Sequence, residues 1–149
     1  MRMRSKPDNG PYNIFTETEI CAEFFDVDPM QVVWHGNYIK YFEIGRRTLL
    51  EKIGYYYPEM VKTEYIFPVI DVSVKYMNPL RFLDKAWVKS ILMEYENRLK
   101  IKYEIRNAET GILTTKGIST QMVFDVKKGE TCFVCPAALA EKVEALIKK

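Results

Sequence analysis

The most constraining feature of the sequence is a series of four strand-like segments that follows one long helical segment. The strand-like segments are residues 70–76, 86–94, 99–106 and 112–125, and residues 15–25 form a further one before the helix. In residues 99–106, apolar Leu99, Ile101, Tyr103 and Ile105 alternate strictly with Lys100, Lys102, Glu104 and Arg106. A period of two puts the apolar side chains on one face of a strand. Short turns between the segments predict antiparallel pairing.

A helix is predicted for residues 37–53. Its apolar residues recur at helical spacing and form one stripe, which consists of Tyr38, Tyr41, Phe42, Gly45 and Leu49. Asn37 can cap the start of this helix, and Gly54 can end it. A glycine inside the apolar stripe favours close packing of the helix against a sheet.

The order of elements predicts an α+β fold, with a curled antiparallel sheet of five to six strands around the long central helix. A last helix begins at Pro136, and its residues Leu139, Val143 and Ile147 share a face. The length of 149 residues suits one domain, residues 1–149. Residues 1–12 are predicted to be a loose tail.

The charge balance and hydropathy exclude several classes of function. Lys and Arg total 22 against 20 Asp and Glu, a net charge of +2, which lacks the basic excess typical of nucleic-acid binding. The longest apolar run is four residues, 137–140, so a membrane span is not expected. The N-terminal residues are charged, with no apolar stretch behind them, so we expect no secretory signal and a cytoplasmic location.

The three cysteines, Cys21, Cys132 and Cys135, do not form a disulfide framework. Cys132 and Cys135 have Cys-x-x-Cys spacing, but a structural zinc site needs four ligands, and the other candidates are Cys21 and His35. We interpret residues 132–135 as a short apolar strand that carries two thiols. No metal and no cofactor are expected.

The segment 24–38 contains the single histidine and can carry chemistry. Asp28 lies at the end of a strand and His35 lies just before a helix, so the loop between them can bring both to one point. The first N–H groups of a helix are unpaired and the helix dipole makes them positive, so they can stabilise a carbonyl oxygen that becomes negative. Asp28 can then act on the carbonyl carbon directly or through water.

The same residues also have a purely structural interpretation. Asp before Pro is a common turn former, which suits Asp26 or Asp28, and a histidine beside Asn and Gly can act as a capping group. No Gly-x-Ser-x-Gly motif occurs, which argues against a serine hydrolase, and no Gly-rich phosphate loop is present. From the pattern alone, both interpretations stay open.

Several motifs resemble the 4-hydroxybenzoyl-CoA thioesterase family, the hot-dog-fold acyl-CoA thioesterases. They are Asp26-x-Asp28, His35-x-Asn37-Tyr38, Tyr41-Phe42-Glu43-x-x-Arg46, and the segment 75–84 with its Asn-Pro and final Asp. The resemblance runs from about Cys21 to the last helix. It implies the hot-dog fold and hydrolysis of an acyl-CoA thioester to a carboxylic acid and free CoA.

The resemblance also implies roles for individual residues. Asp28 corresponds to the catalytic carboxylate. His35 corresponds to the position whose backbone N–H helps to hold the thioester oxygen, with its side chain near water or substrate. Gly36, Asn37 and Tyr38 would line or brace the site. Glu43 and Arg46 would form an ion pair that anchors the helix.

Two positions depart from the family pattern. Gln31 and Leu83 stand where family members usually carry glycine, the first three residues after the catalytic Asp and the second just before Asp84. The change at Gln31 puts the geometry of the turn, and with it the choice of substrate, in question.

The resemblance further implies a homodimer or homotetramer with the site between subunits. Arg98, Lys100 and Lys102 form a basic strip that can meet CoA phosphates, or can simply be an exposed strand face. The aromatic segments 55–57 and 65–67 can wall an acyl pocket or pack in the core. The acyl group, its carrier (CoA or an acyl carrier protein) and the role of Asp28 as nucleophile or base are left open.

Two alternatives remain beside the thioesterase. One is a hot-dog module that binds acyl-CoA or a partner without catalysis, which the intact Asp28 and His35 argue against. The other is a hot-dog dehydratase for 3-hydroxyacyl thioesters, which needs a histidine–acid pair in a different motif.

Overall fold

Five strands form one antiparallel sheet in the computed structural model, which describes residues 7–148. Across the sheet the strand order is β1-β4-β5-β6-β3. These strands are β1 (Phe15–Cys21), β3 (Val69–Tyr76), β4 (Lys85–Glu94), β5 (Leu99–Asn107) and β6 (Leu113–Gln121). A small second sheet contains β2 (Tyr65–Ile66), β7 (Val123–Asp125) and β8 (Glu130–Cys132). The predicted curled antiparallel sheet with a hot-dog-like element order is confirmed.

The hairpins β4–β5 and β5–β6 pair as the short turns predict. The expectation of pairing between consecutive strands is wrong for β3, which pairs with β6 at the far edge of the sheet and not with β4. The connecting residues 77–84 therefore cross from the edge strand β3 to β4, the strand next to the opposite edge. On the way, the carbonyl of Leu80 accepts a hydrogen bond from the N–H of Val33 at 2.8 Å, so this crossover lies against the loop before the central helix.

The central helix α1 spans Asn37–Ile53, as predicted. Its N-cap is Gly36, one residue before the predicted Asn37, and the left-handed Gly54 (φ 89°) ends it by donating to the carbonyls of Leu50 and Glu51. All five residues of the predicted apolar stripe are buried. The helix thus turns its apolar side to the sheet and its charged side to solvent.

Two glycines set the distance between α1 and the sheet. A Cβ at Gly45 would lie 2.8 Å from Cγ1 of Val88 and closer still to the hydroxyl of Ser90, so the glycine permits the contact with β4. A Cβ at Gly117 on β6 would overlap the ring of Phe42, which stacks on Tyr103 with ring centroids 4.5 Å apart. At these two glycines, α1 and the sheet are therefore too close to leave room for a side chain.

Other elements differ from the sequence prediction. The first strand ends at Cys21, and a 3-10 turn at Phe24–Asp26 replaces its predicted end. The predicted strand 112–125 breaks after Gln121, because residues 123–125 join the small sheet. A short helix α2 (Tyr57–Thr63) was not predicted.

The last helix, α3, spans Ala137–Ile147. Leu139 and Val143 are buried as expected, whereas Ile147 is exposed. No helix within residues 7–148 is long and apolar enough to cross a membrane.

The predicted loose tail, residues 1–12, lies partly outside the described residues. Its described part is packed: Tyr12 meets Tyr95 edge to face with centroids 5.1 Å apart, and Gly10 lies against Ile91. Ile91 is fully buried, although it is not part of the main core cluster.

We expect Gly45→Val to lower the free energy of unfolding by about 2–3 kcal/mol, because the added side chain overpacks the contact with Val88 and Ser90. Urea denaturation at equilibrium measures the change. Thr48→Val, a near-isosteric change one turn later, is the control and should cost less than about 1 kcal/mol. Equal losses in both variants would contradict the close-packing role of Gly45.

Candidate active site

Asp28 sits at the base of a tight turn. Its N–H donates to the carbonyl of Val32 at 2.9 Å, its carbonyl accepts from the N–H of Gln31 at 2.8 Å, and its Oδ1 accepts from the N–H of Met30 at 2.8 Å. Val27 and Val33, which flank this turn, pair in an isolated antiparallel β-bridge. Asp28 is half-buried, and both its backbone N–H and its backbone carbonyl form hydrogen bonds within the turn.

A second aspartate, Asp26, anchors this loop to helix α1. Its side chain is 1% exposed, forms an ion pair with Lys40, and accepts hydrogen bonds from the Tyr41 hydroxyl at 2.9 Å and the Glu23 N–H at 3.0 Å. Its backbone carbonyl accepts from the Asn37 amide at 2.7 Å. The sequence indicated only a turn former here and missed this anchoring role.

The electrostatics of Asp26 follow from these contacts. Burial by itself raises the pKa of the Asp26 carboxyl group, but the three hydrogen bonds outweigh burial and hold the pKa below its usual value. Burial, and after it the hydrogen bond to the same carboxylate, raises the pKa of Tyr41, so its hydroxyl stays a donor. The anchor is therefore an ionised carboxylate with its hydrogen bonds satisfied.

The start of α1 faces the loop with free donors. Gly36 is the N-cap, and no side chain of residues 7–148 caps this end. Within the described chain, the N–H groups of His35 and Gly36 donate to no other group. The ring of Trp34 lies on Gly36, where a Cβ would overlap it. Unpaired N–H groups and the helix dipole make this point positive.

Strand β3 and the crossover supply the other wall. The Tyr76 hydroxyl donates to the carbonyl of His35 at 2.7 Å, and the Tyr38 hydroxyl accepts from the Leu80 N–H at 3.1 Å. Together the elements form an open pocket of about 320 Å³ lined by Asp28, Val32, Val33, His35, Tyr38, Tyr76, Met77, Asn78 and Pro79.

The structure thus brings Asp28, His35 and Tyr38 together at one pocket, whereas the predicted site residue Gly36 is not among the residues that line it. Asn37 braces the loop through its amide. Glu43 and Arg46 form the predicted ion pair. The lining by residues 76–79 was missed, although Asn78-Pro79 in the resembling segment could have pointed to it.

Arg98 and Lys100 lie elsewhere within a single chain. Tyr76 on β3 pairs with Thr115 on β6, and Thr115 in turn pairs with Ile105 near the C-terminal end of β5. Lys100 is five residues away along that strand, about 17 Å at roughly 3.3 Å per residue. Arg98 is paired with Glu94, and Lys102 with Asp8. One chain alone does not bring this basic strip to the Asp28 pocket.

The two departures from the family pattern share one backbone feature. Gln31 has φ 66° and Leu83 has φ 70°, both in the left-handed region that glycine adopts without strain. Gln31 follows the Asp28 turn, and Leu83 precedes Asp84 in the crossover, where the Leu83 N–H donates to the Ala22 carbonyl. This chain therefore keeps the glycine backbone geometry and adds a side chain at each position.

The three cysteines are free thiols. Cys132 ends β8, whereas Cys135 is buried beyond it, and burial raises the pKa of its thiol to about 12. Among residues 7–148, no cluster of three potential metal ligands occurs. Residues 132–135 are only in part the short strand that the sequence predicted.

Comparison with known families identifies the superfamily of the chain. A family model described as the thioesterase-like superfamily matches residues 23–143. The chain belongs to this superfamily. The match covers the Asp28 turn, α1, the strands β3–β6 and part of α3, so it includes every element that forms the pocket.

Individual relatives agree with the superfamily match. YneP of Bacillus subtilis (strain 168), which is named as an acyl-CoA thioesterase, is 30% identical over 111 residues, 74% of this chain and 80% of that protein. The solved DHNA-CoA thioesterase from Staphylococcus aureus is 31% identical, with TM-score 0.77 and coverage of 90% of this chain and 93% of that chain. ATL3 of Arabidopsis thaliana, a chloroplastic acyl-acyl carrier protein thioesterase, is 30% identical over 76 residues, 51% of this chain and 40% of that protein.

These findings confirm the predicted hot-dog thioesterase resemblance and the prediction of an enzyme that hydrolyses thioesters. They do not test the roles of individual residues, which remain predictions for this member of the superfamily.

Asp26→Asn should lower the free energy of unfolding by about 2–3 kcal/mol at pH 7, because the charge-assisted hydrogen bonds are lost and the amide nitrogen would face another donor, either the Lys40 ammonium or the Glu23 N–H and Tyr41 hydroxyl. A carboxyl group with a lowered folded pKa stabilises above its unfolded pKa of about 4 and loses that effect as pH falls through the folded value. The difference between wild type and variant should therefore shrink below pH 4. Denaturant titrations at pH 7 and pH 3 measure it.

Glu51→Gln is the matched control, since Glu51 is in an exposed pair with Arg47. Its cost should stay under about 1 kcal/mol. A pH-independent loss in Asp26→Asn would contradict the ionised anchor.

Gln31→Val should destabilise the protein by about 1–2 kcal/mol, because a β-branched residue resists positive φ. Gln31→Gly should not lower stability, since glycine adopts this backbone freely. Thermal unfolding of both variants makes the comparison. A loss in Gln31→Gly as large as in Gln31→Val would show that the Gln31 side chain, and not backbone strain, decides stability here.

Proposed function

We propose that the protein hydrolyses an acyl-CoA thioester to a carboxylic acid and free CoA, with Asp28 as the catalytic carboxylate. The observation that carries this proposal is that Asp28 and the uncapped start of α1 line the same pocket. Family membership supplies the reaction class. The proposal keeps the predicted cytoplasmic location.

The chemistry needs two groups on opposite sides of the thioester carbonyl. The backbone N–H groups at His35 and Gly36 receive the carbonyl oxygen and stabilise its negative charge as the carbon becomes tetrahedral. Asp28 faces the carbon and either takes a proton from the attacking water or attacks to form an anhydride that water then opens. On both routes the C–S bond breaks, the thiolate takes a proton, and an oxygen from water enters the products as acid.

The surrounding residues hold these groups in place. The Asp26 anchor ties the loop to α1, and the hydrogen bond from Tyr76 to the His35 carbonyl fixes the backbone at His35, which lines the pocket. Val32 and Val33 give the pocket an apolar side. Because the donors are backbone groups, the His35 side chain is secondary in this mechanism.

We further propose that the carrier is CoA and that the enzyme is a homodimer or homotetramer, as the family resemblance implies. The superfamily includes relatives named for CoA substrates and one named for acyl carrier protein substrates. A carrier-protein thioester is therefore the competing substrate in the same site.

Asp28→Asn should abolish thiol release from acyl-CoA esters, a loss of at least about 1000-fold, without lowering the melting temperature. His35→Ala should lose less than about 10-fold, because it keeps the backbone N–H. A panel of acyl-CoA esters assayed with a thiol-reactive dye, alongside the same acyl groups on a carrier protein, gives both answers.

Full activity of Asp28→Asn would remove Asp28 from the mechanism. Binding of acyl-CoA with no turnover on any ester would instead favour the non-catalytic binding module.

A further inference from the structure

A second pocket lies beside the Asp28 turn and shares no lining residue with the Asp28 pocket. Its volume is about 440 Å³, and it is lined by Phe24, Val27, Gln31, Arg81 and Phe82. Neighbouring residues of the turn line different pockets, Val27 this one and Asp28 the other. Because side chains alternate between the two faces of an extended chain, the pockets lie on opposite faces of the turn. We call the second one the Phe24 pocket.

We propose that the Phe24 pocket binds the nucleotide end of CoA, an adenine base with phosphate groups, while the acyl thioester lies at Asp28. The inference rests on the proposed function for the identity of the carrier. It gives a binding role to a part of the chain that takes no part in the chemistry. The pocket would recognise an aromatic base that carries phosphate, and a free nucleotide shares this chemistry, so experiment must separate the two sources.

Two aromatic rings form one wall of the Phe24 pocket and are open to solvent. Phe24 is 77% exposed and Phe82 is 45% exposed, and their rings meet edge to face with centroids 6.0 Å apart. Large apolar side chains exposed together mark interaction sites and ligand-binding grooves. Bases of nucleotides stack on aromatic side chains because every base has a π-face. The pair therefore offers a contact surface to a planar base.

Arg81 supplies the positive charge that a phosphate group needs. It is exposed, and among residues 7–148 its guanidinium group forms no ion pair. The Asp84 carboxylate accepts from the backbone N–H of Arg81 at 2.8 Å. A guanidinium group can bind phosphate through two parallel hydrogen bonds. In the basic strip, by contrast, Arg98 is already paired with Glu94.

Hydrogen bonds fix the backbone around the Phe24 pocket. Arg81 forms an antiparallel bridge with Val32, and the Leu83 N–H donates to the Ala22 carbonyl at 2.9 Å. Phe24 lies in the 3-10 turn, which has a capping box at its start. Sites for small ligands are usually formed in advance in this way. The walls of the pocket are thus held in position by the fold itself.

Gln31 adds an amide group at a position where the family usually carries glycine. Its backbone has φ 66°, which glycine would adopt with less strain, and its side chain is exposed. An amide group can both donate to and accept from the edge of a base. This departure from the family pattern therefore gives the pocket a polar contact that glycine could not supply.

The separation of the two pockets suits the length of CoA. Asp28 and Gln31 belong to one turn, in which the Gln31 N–H donates to the Asp28 carbonyl at 2.8 Å. Packed sheets are about 10 Å apart, which approximates the separation of ligands on the two faces of one layer. The pantetheine arm of CoA has about as many bonds as four extended residues, roughly 14 Å. The arm is therefore long enough to pass around the turn.

The exposure of the Phe24 pocket argues against the acyl group as its occupant. Gln31, Arg81 and both aromatic rings are exposed, so a molecule bound there stays in contact with water. An acyl chain gains free energy when it leaves water, whereas burial of a charged phosphate group is costly. The pocket therefore suits the polar end of the substrate.

A substrate without the nucleotide tests the assignment. Phe24→Ala and Arg81→Ala should each raise the KM of an acyl-CoA about 10-fold, because a stacking contact or a charge-assisted contact with phosphate is lost. The value of kcat should change less than about 2-fold, since neither residue contacts the reacting atoms. The KM of the same acyl group on pantetheine should stay within about 2-fold of wild type.

Phe25→Ala is the matched control for the lost ring, because Phe25 is 76% exposed in the same 3-10 turn and does not line the pocket. Lys116→Ala is the control for the lost charge, since Lys116 is an exposed cation on β6. Both controls should leave the KM of the acyl-CoA within about 2-fold of wild type. Unchanged KM in Phe24→Ala and Arg81→Ala, or equal losses with acyl-CoA and acyl-pantetheine, would overturn the proposal.

Gln31→Gly tests the added amide separately, because it keeps the backbone geometry. It should raise the KM of the acyl-CoA about 3-fold through the loss of one hydrogen bond and leave the KM of acyl-pantetheine unchanged. An equal loss with acyl-pantetheine would show that Gln31 acts through the Asp28 turn and would contradict its place in the nucleotide site.

Calorimetry separates CoA from a free nucleotide and requires no turnover. CoA and its fragment adenosine 3′,5′-bisphosphate should compete for one site, and both should bind at least about 5-fold more weakly to Arg81→Ala than to wild type. Simultaneous binding of CoA and the fragment would show a separate site for a free nucleotide and would overturn the assignment. If the wild type releases no thiol but Arg81→Ala still binds CoA more weakly, the nucleotide site stands and only the proposed function fails.

Discussion

The buried carboxylate of Asp26 is the interaction on which the site depends. It holds three donors from the 3-10 turn and helix α1, and its own carbonyl accepts the Asn37 amide. Charge-assisted hydrogen bonds of this kind are stronger than neutral ones. These contacts fix both ends of the loop between the 3-10 turn and α1. Asp28 therefore reaches the pocket because the adjacent Asp26 holds the loop in place.

Much of the fold was predictable because it depends on local patterns. Strict alternation in residues 99–106 and the helical stripe of residues 38–49 match the structure, and Gly45 has the packing role that its place in the stripe predicted. The path of residues 77–84 was not predictable in this way. Those residues connect the edge strand β3 to β4, the strand next to the opposite edge, and no local spacing distinguishes such a crossover from an ordinary turn between neighbours.

The candidate site was predicted in part for the same reason. Asp28 and His35 are close in sequence and separated by a short loop, so their meeting follows from one turn and one helix start. Tyr76 and Asn78 reach the pocket only through long-range pairing. Arg98 and Lys100 form a basic strip in sequence, yet the strand extends them away from the pocket of their own chain, which a charge pattern cannot reveal.

The hydrogen bond from Tyr76 to the His35 carbonyl links the sheet edge to the helix mouth. Side chains of a strand alternate between faces, so a slip of β3 by one residue would turn this ring to the opposite side. The register of edge strand β3 is therefore more constrained than that of most edge strands. A substitution that shifts this register would also remove the hydrogen bond that positions the backbone at the start of α1.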